Sequence, residues 1–250
     1  MKNSLFILFL FLSFRIDAQY SPQNAHSQND YANKVPFWTA YNAHFGSIGV
    51  DIFAVNGELI VARTKGETKK GRTLDELYLK PLALRYEQNR NQPWPIGEGK
   101  LQLIIDLKTP PSSTLNLLAN QLKQYPEVFD RSVNPNAVQV VVTGNTPKPA
   151  DFGMYPAFIM FDGNLSTTYS PEQLERIALY SEPLNMPKNK SLTAPERARL
   201  EEAVRTVHTL KKKIRFRVSD DTPETWKMLM DLGVDFINTS KISEFSGYLK

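Results

Sequence analysis

Nine short apolar runs punctuate the chain, at 24–26, 47–55, 58–63, 101–107, 138–143, 157–161, 177–180, 214–218 and 235–237. Asp51 interrupts the second run, and Asn56-Gly57 marks a hairpin turn between the second and third. Counting that hairpin as one unit leaves eight strands. Helical patterns fall between them. Residues 37–44 form the first, stopped by Gly46. Thr73-Leu74-Asp75-Glu76, Ser170-Pro171-Glu172-Gln173 and Thr193-Ala194-Pro195-Glu196 each read as a capping box opening a helix. Leu200, Ala203, Val204, Val207 and Leu210 share one face of the helix that the third of these opens. Thr222-Pro223 begins another helix, which Gly233 ends. The Pro-rich stretch between Thr143 and Ala157 predicts a short helix or none.

Strands that are apolar on both faces need helical cover on both sides, so alternating βα units imply a parallel sheet. Eight such units in a chain of this length predict a single (β/α)8 TIM barrel. A doubly wound sheet is the rival, but it normally uses fewer strands.

Composition narrows the picture without changing it. The 250 residues are 41% hydrophobic and 22% charged, with 17 Pro and 12 Gly, which excludes bulk disorder and collagen-like architecture. The net charge of +4 suits anionic ligands. Lys211, Lys212 and Lys213 lack interleaved aromatics, so they read as a solvated helix end and not as a nucleic-acid site. No Cys is present, which excludes disulfides, thiolate metal sites and catalytic thiols. At the N-terminus, Lys2 precedes an apolar run from Leu5 to Phe14, with Ala18 near a cleavage point. That pattern predicts a signal peptide over residues 1–18, the barrel over 19–250, and export to a periplasmic or extracellular location.

In a barrel, chemistry gathers where strands end and βα loops begin. Those ends carry His26 with Asn29 and Asp30, Asp51, Arg63, Asp106 with Lys108, and Arg215 with Arg217. Asp51 and Asp106 each interrupt an apolar strand, and a carboxylate there must meet a cation or several donors. Two readings of the residues stand side by side. The carboxylates hold a hard divalent cation, or they join Lys108 and Arg215 in a salt-bridge network. His26 is a candidate acid or base because imidazole titrates near neutrality. A glycoside hydrolase built on Asp51, Asp106 or Glu182 ranks lower, because Lys108 and the arginines suit phosphate better than a neutral sugar.

Ala25-His26-Ser27-Gln28-Asn29-Asp30-Tyr31, Val50-Asp51-Ile52 and Ile105-Asp106-Leu107-Lys108-Thr109 resemble segments of the phospholipase-C-like phosphodiesterase superfamily. That group of TIM barrels includes glycerophosphodiester phosphodiesterases and sphingomyelinase D. Arg72 to Leu82, Phe161-Asp162-Gly163 and Leu232 to Thr239 are similar to its branch related to altered inheritance of mitochondria protein 6. The resemblance implies phosphodiester hydrolysis on a glycerophosphodiester or phospholipid-type substrate. It implies His26 as acid or base, Asp51 and Asp106 as ligands of Mg2+ or Ca2+, and Lys108 on the phosphate. Asn29, Asp30, Arg63, Arg215 and Arg217 are then expected to contact the substrate.

The chain departs from that pattern. Gly49 stands where the resemblance implies a third metal-binding carboxylate, and Arg63 where it implies a second histidine. Arg215-Phe216-Arg217 also stands where relatives carry Arg-Phe-Trp. Arginine does not deprotonate near neutral pH, so Arg63 can clamp phosphate but cannot act as a base. The alternative to a phosphodiesterase is therefore a non-catalytic module on the same barrel that binds a phosphorylated or phospholipid-headgroup ligand.

Overall fold

A computed structural model describes residues 20–95, 99–185 and 192–250. The expected signal peptide lies outside the described residues. Eight parallel strands form the frame: β1 (Ala25–Ser27), β2 (Ser47–Val55), β4 (Gln102–Leu107), β5 (Gln139–Gly144), β6 (Ile159–Gly163), β7 (Ile177–Leu184), β8 (Lys213–Val218) and β9 (Ile237–Thr239). Their order is β8-β7-β6-β5-β4-β2-β1-β9. β3 (Glu58–Val61) folds back antiparallel on β2 across the Asn56-Gly57 turn. One parallel bridge, Arg215 to Phe236, brings β8 to the approach of β9 and nearly closes the cylinder. The (β/α)8 architecture is thus the one the alternation predicts.

The helices are α1 (Trp38–Asn42), α2 (Lys80–Gln88), α3 (Pro111–Leu122), α4 (Pro126–Phe129), α5 (Pro171–Glu175), α6 (Ala194–Thr209), α7 (Pro223–Asp231) and α8 (Ile242–Tyr248). Caps set several starts. Ser170 and Gln173 exchange the reciprocal bonds of a full capping box at α5. Glu196 returns to the Thr193 N–H at 2.8 Å to open α6. Ahead of α2, Thr73 Oγ1 accepts from the Glu76 N–H at 3.2 Å, and a π-turn over Asp75–Leu79 leads into the helix.

Three findings refine the sequence reading. α3 was not anticipated, although Pro111 fits a first helical position and Leu115, Leu118, Ala119 and Leu122 bury one face. The expected 177–180 strand runs on to Leu184, so Ser181 and Glu182 belong to β7 and not to the loop after it. Between β5 and β6 only a 3-10 segment, Pro149–Met154, forms, and its Phe152 stacks on Phe161 with centroids 3.9 Å apart.

Two apolar layers result. The larger lies between the strands and the helices, and includes Ile48, Val50, Ile52, Leu103, Ile105, Leu107, Val140 and Val142. A smaller cluster of Ile104, Val141, Leu179 and Phe236, with Met160 against it, fills the inside. Side chains alternate along a strand. Ile104 therefore puts Asp106 on the inner face with it, one step nearer the strand's C-terminal end.

Candidate functional site

Register brings the acidic residues together. Asp51 on β2 and Asp106 on β4 are paired neighbours, and Asp106 in turn pairs with Thr143 on β5. Lys108 is two residues beyond Asp106, so its side chain leaves on the same face. Its N–H continues the ladder to Ile52 O at 2.9 Å. Beyond it, Thr109 Oγ1 accepts from the Ala54 N–H at 2.9 Å and fixes the start of the loop. The Lys108 ammonium then sits 3.0 Å from Asp51 Oδ2 and 2.9 Å from Asp106 Oδ2. Asp51 Oδ2 also accepts from the Tyr31 hydroxyl at 2.9 Å. Burial lifts the Asp51 carboxyl above its ordinary value, against the pull of Lys108. Burial also pulls Lys108 down, but the bonds and charges of Asp106 and Asp51 outweigh it and hold the ammonium above its ordinary value. Gly144, at φ +77°, permits the approach: a Cβ there would come within 2.1 Å of Asp106 Oδ1.

A second cluster lies deeper. His26 is 3% exposed. Its Nε2 is 2.8 Å from Arg215 Nη1, and its Nδ1 is 2.8 Å from Ser47 Oγ. Guanidinium only donates, so Nε2 accepts and Nδ1 carries the proton towards Ser47. Arg215 Nε donates to Ser181 Oγ at 2.6 Å, and Nη2 reaches Asp162 Oδ2 at 3.5 Å. Burial pushes the imidazole well below its usual range, and the Arg215 charge adds to the shift. Burial raises the Asp162 carboxyl, with Arg215 the strongest opposing influence. Gly49 makes room for the ring, because a Cβ there would stand 2.9 Å from both His26 Cε1 and Nε2.

Both clusters border one pocket of about 210 Å³. Its floor includes Ile104, and its wall includes His26, Asn29, Asp51, Asp106, Arg215 and Arg217. Asn238 also lines it, with a buried Oδ1 that has no hydrogen-bond partner among the described residues. A larger depression of about 570 Å³ lies along α6, beside His208 and Leu232, away from these groups. Size therefore does not mark the site; convergence of polar groups does.

The expected site residues separate into groups. His26, Asp51, Asp106, Lys108, Asn29, Arg215 and Arg217 meet at or beside the pocket. Arg217 is exposed there and makes no side-chain hydrogen bond or close ion pair among the described residues, although its charge acts on Asp162. Arg63 is exposed at the rim, near enough to Tyr31 to act on its hydroxyl. Asp30 is a correction. It is fully buried outside the pocket wall, and its oxygens accept from Ser27, Asn33, the Phe37 N–H and Tyr78. It pins the first βα loop and has no face left for a ligand. Asp162 and Ser181 stand among the polar residues at strand ends in the sequence but carry no assigned role there, and Tyr31 and Ser47 are not singled out. Asp162 carried the same signal as Asp51, a carboxylate closing an apolar strand. The hydroxyl residues carried none beyond facing inward.

The residues present do not fit a resident Mg2+ or Ca2+. Mg2+ and Ca2+ take six or more oxygen ligands, several of which water can supply, so the count of carboxylates alone does not decide the fit; their occupancy does. Here two carboxylates converge, Lys108 bridges them, and position 49 has no side chain to offer. Among the described residues no three His, Cys, Asp or Glu side chains come together as a metal set.

Comparison with known proteins places this barrel. A family model described as an AIM6-like phosphodiesterase domain matches residues 14–150. The chain belongs to the AIM6-like phosphodiesterase family. An altered inheritance of mitochondria protein 6 homolog from Arthroderma benhamiae is 25% identical over 263 residues, covering 91% of this chain and 84% of the relative. Altered inheritance of mitochondria protein 6 from Eremothecium gossypii is 24% identical over 266 residues, covering 89% and 68%. In structure the chain is similar to a glycerophosphodiester phosphodiesterase from Parabacteroides distasonis. That match has a TM-score of 0.56 and 13% identity, and it covers 90% of this chain and 96% of that one. No helix among the described residues is long and apolar enough to cross a membrane.

Proposed function

We propose that this AIM6-like barrel binds the phosphate of a small ester or diester in the pocket at its mouth and does not hydrolyse it. The observation that carries this reading is the state of His26. Hydrolysis of a phosphodiester needs a group that gives or takes a proton at the reacting oxygen. Both ring nitrogens of His26 are committed, one to Arg215 and one to Ser47. Arg63 and Lys108 are cations that do not serve as bases at neutral pH. What the mouth does offer an anion is the exposed guanidinium of Arg217 and the amides of Asn29 and Asn238, with Arg63 near Tyr31 at the rim. An Arg fork matches two phosphate oxygens at once.

Hydrolysis is the second reading. It is favoured by the meeting of His26, Asp51 and Asp106 on one pocket wall. It requires Arg215 to leave Nε2 when substrate enters. The solved neighbour's described action on glycerophosphodiesters makes that diester class the first to try. Purified protein is melted with inorganic phosphate, glycerol 3-phosphate and a glycerophosphodiester, and each mixture is assayed for released alcohol. Binding without turnover gives a raised Tm with every phosphate ligand, a smaller rise in Arg217→Ala, and no alcohol. Alcohol release that disappears in His26→Gln establishes the second reading. An unchanged Tm with all three ligands removes the first.

A further inference from the structure

The geometry points to Lys108 as a built-in replacement for the divalent cation, so that the mouth of this barrel works without a metal. The inference is independent of which anion the pocket takes. It starts from register. Asp51 and Asp106 are paired neighbours on adjacent strands, so two carboxylates lie side by side and repel. Something cationic must stand between them. Lys108 does, with one ammonium 3.0 Å from Asp51 Oδ2 and 2.9 Å from Asp106 Oδ2. An ammonium has three donors and sits close to 3 Å from its acceptors. A Mg2+ or Ca2+ ion sits at roughly 2.0–2.6 Å from oxygen, closer than an ammonium does, so the two cannot share the space between these carboxylates.

Three further features commit the site to lysine. Tyr31 donates to the same Asp51 oxygen that Lys108 contacts, which fixes the carboxylate towards the ammonium. Position 49, on the inner face of β2 beside Asp51, has no side chain, and the His26 ring occupies the space that one would enter. The His26 ring is itself held there by Ser47 and Arg215. The charge count agrees: two carboxylates and one ammonium leave a single negative charge. The Arg215 guanidinium, which feels the Asp106 charge, faces the same pocket.

The test is a gain of function. Wild type, Lys108→Met, Lys108→Arg and the double variant Lys108→Met/Asp51→Asn are titrated with Mn2+, Mg2+ and Ca2+ by calorimetry, with Tm measured alongside. Far-UV circular dichroism checks that each variant is folded, and Lys108→Gln stands in if the methionine variant is not. Wild type and Lys108→Arg are expected to show no saturable binding at millimolar metal. Lys108→Met is expected to gain binding about tenfold or more tighter than wild type, because it uncovers two adjacent carboxylates. The double variant is expected to lose that gain. Stoichiometric metal binding by wild type that Asp51→Asn abolishes overturns the inference. So does a folded Lys108→Met or Lys108→Gln protein that binds no better than wild type, since lysine would then not be what keeps the ion out.

Discussion

Two cation–carboxylate clusters share the inside of this barrel, and they differ in depth. In the deep one, the side chains of Arg215 and Asp162 are 6% and 4% exposed. In the rim one, Lys108, Asp51 and Asp106 are 29%, 14% and 31% exposed. Charges interact more strongly and are screened less where water is excluded. A buried pair also leaves an uncompensated charge when one partner goes. The deep cluster therefore serves as scaffold: Arg215 ties β8 to β7, β6 and β1 through Ser181, Asp162 and His26. The rim cluster joins β2 and β4, with Tyr31 of the first βα loop bonded to Asp51, and its groups reach solvent. The same ingredients are sealed in the interior at one depth and open to solvent at the other.

The sharpest way to break this comparison is Arg215→Ala. Removing the guanidinium strands Asp162 in the interior and leaves Ser181 and His26 Nε2 without their donor. The expected loss is about 3–5 kcal/mol of unfolding free energy, read from urea unfolding at neutral pH. A loss no greater than that of Lys108→Met would mean that depth does not separate the clusters.

The next effect is smaller and depends on pH. His26 is held well below its ordinary value of 6.5, by burial first and Arg215 second. The unfolded chain therefore takes up a proton at a pH where the folded chain does not. The sign follows: stability is full above pH 6.5 and falls as the pH drops below it, by about 1.4 kcal/mol per pH unit until the folded imidazole titrates. Urea unfolding at pH 7.5 and 5.5 measures the drop. His26→Gln should lose most of this dependence. An equal drop in both proteins would show that the ring is not the group responsible.

The barrel was legible because a parallel sheet needs strands that are apolar on both faces, and the chain alternates them with amphipathic helices. α3 went unread because Pro110-Pro111 looks like a break, although proline suits the first turn of a helix. At the site, Asp51, Asp106 and Lys108 were legible one by one, since strand parity fixes which side each faces. Their mutual pairing was not, because it depends on the register between β2 and β4. Asp30 shows the limit most clearly. A carboxylate three residues beyond β1 reads as a ligand contact, and only the folded loop shows Phe37 and Tyr78 satisfying it from below. His26 shows another: its place at a strand end was visible, but its capture by a residue 189 positions away was not.

The smallest effect belongs to the rim. Lys108→Met removes two ion pairs that are partly open to water, and such pairs contribute at most about 1 kcal/mol. Two features distinguish this loss from the deep one. Salt screens it, so the gap between wild type and Lys108→Met in urea unfolding narrows as ionic strength rises, whereas the gap for Arg215→Ala holds. The second feature is its pH range. Lys108 is held above its ordinary value of 10.5 by Asp106 and Asp51, against the opposing effect of burial. Its contribution is therefore complete at neutral pH and is lost as the pH climbs through the folded value, beyond 10.5. Asp51, raised chiefly by burial, has the same sign in a different window: folding favours its protonated form, and that advantage fades as the pH rises through the acid range. Near pH 8 the lysine contribution stands alone. A gap there that salt does not narrow would place Lys108 among the buried charges and erase the distinction between rim and interior.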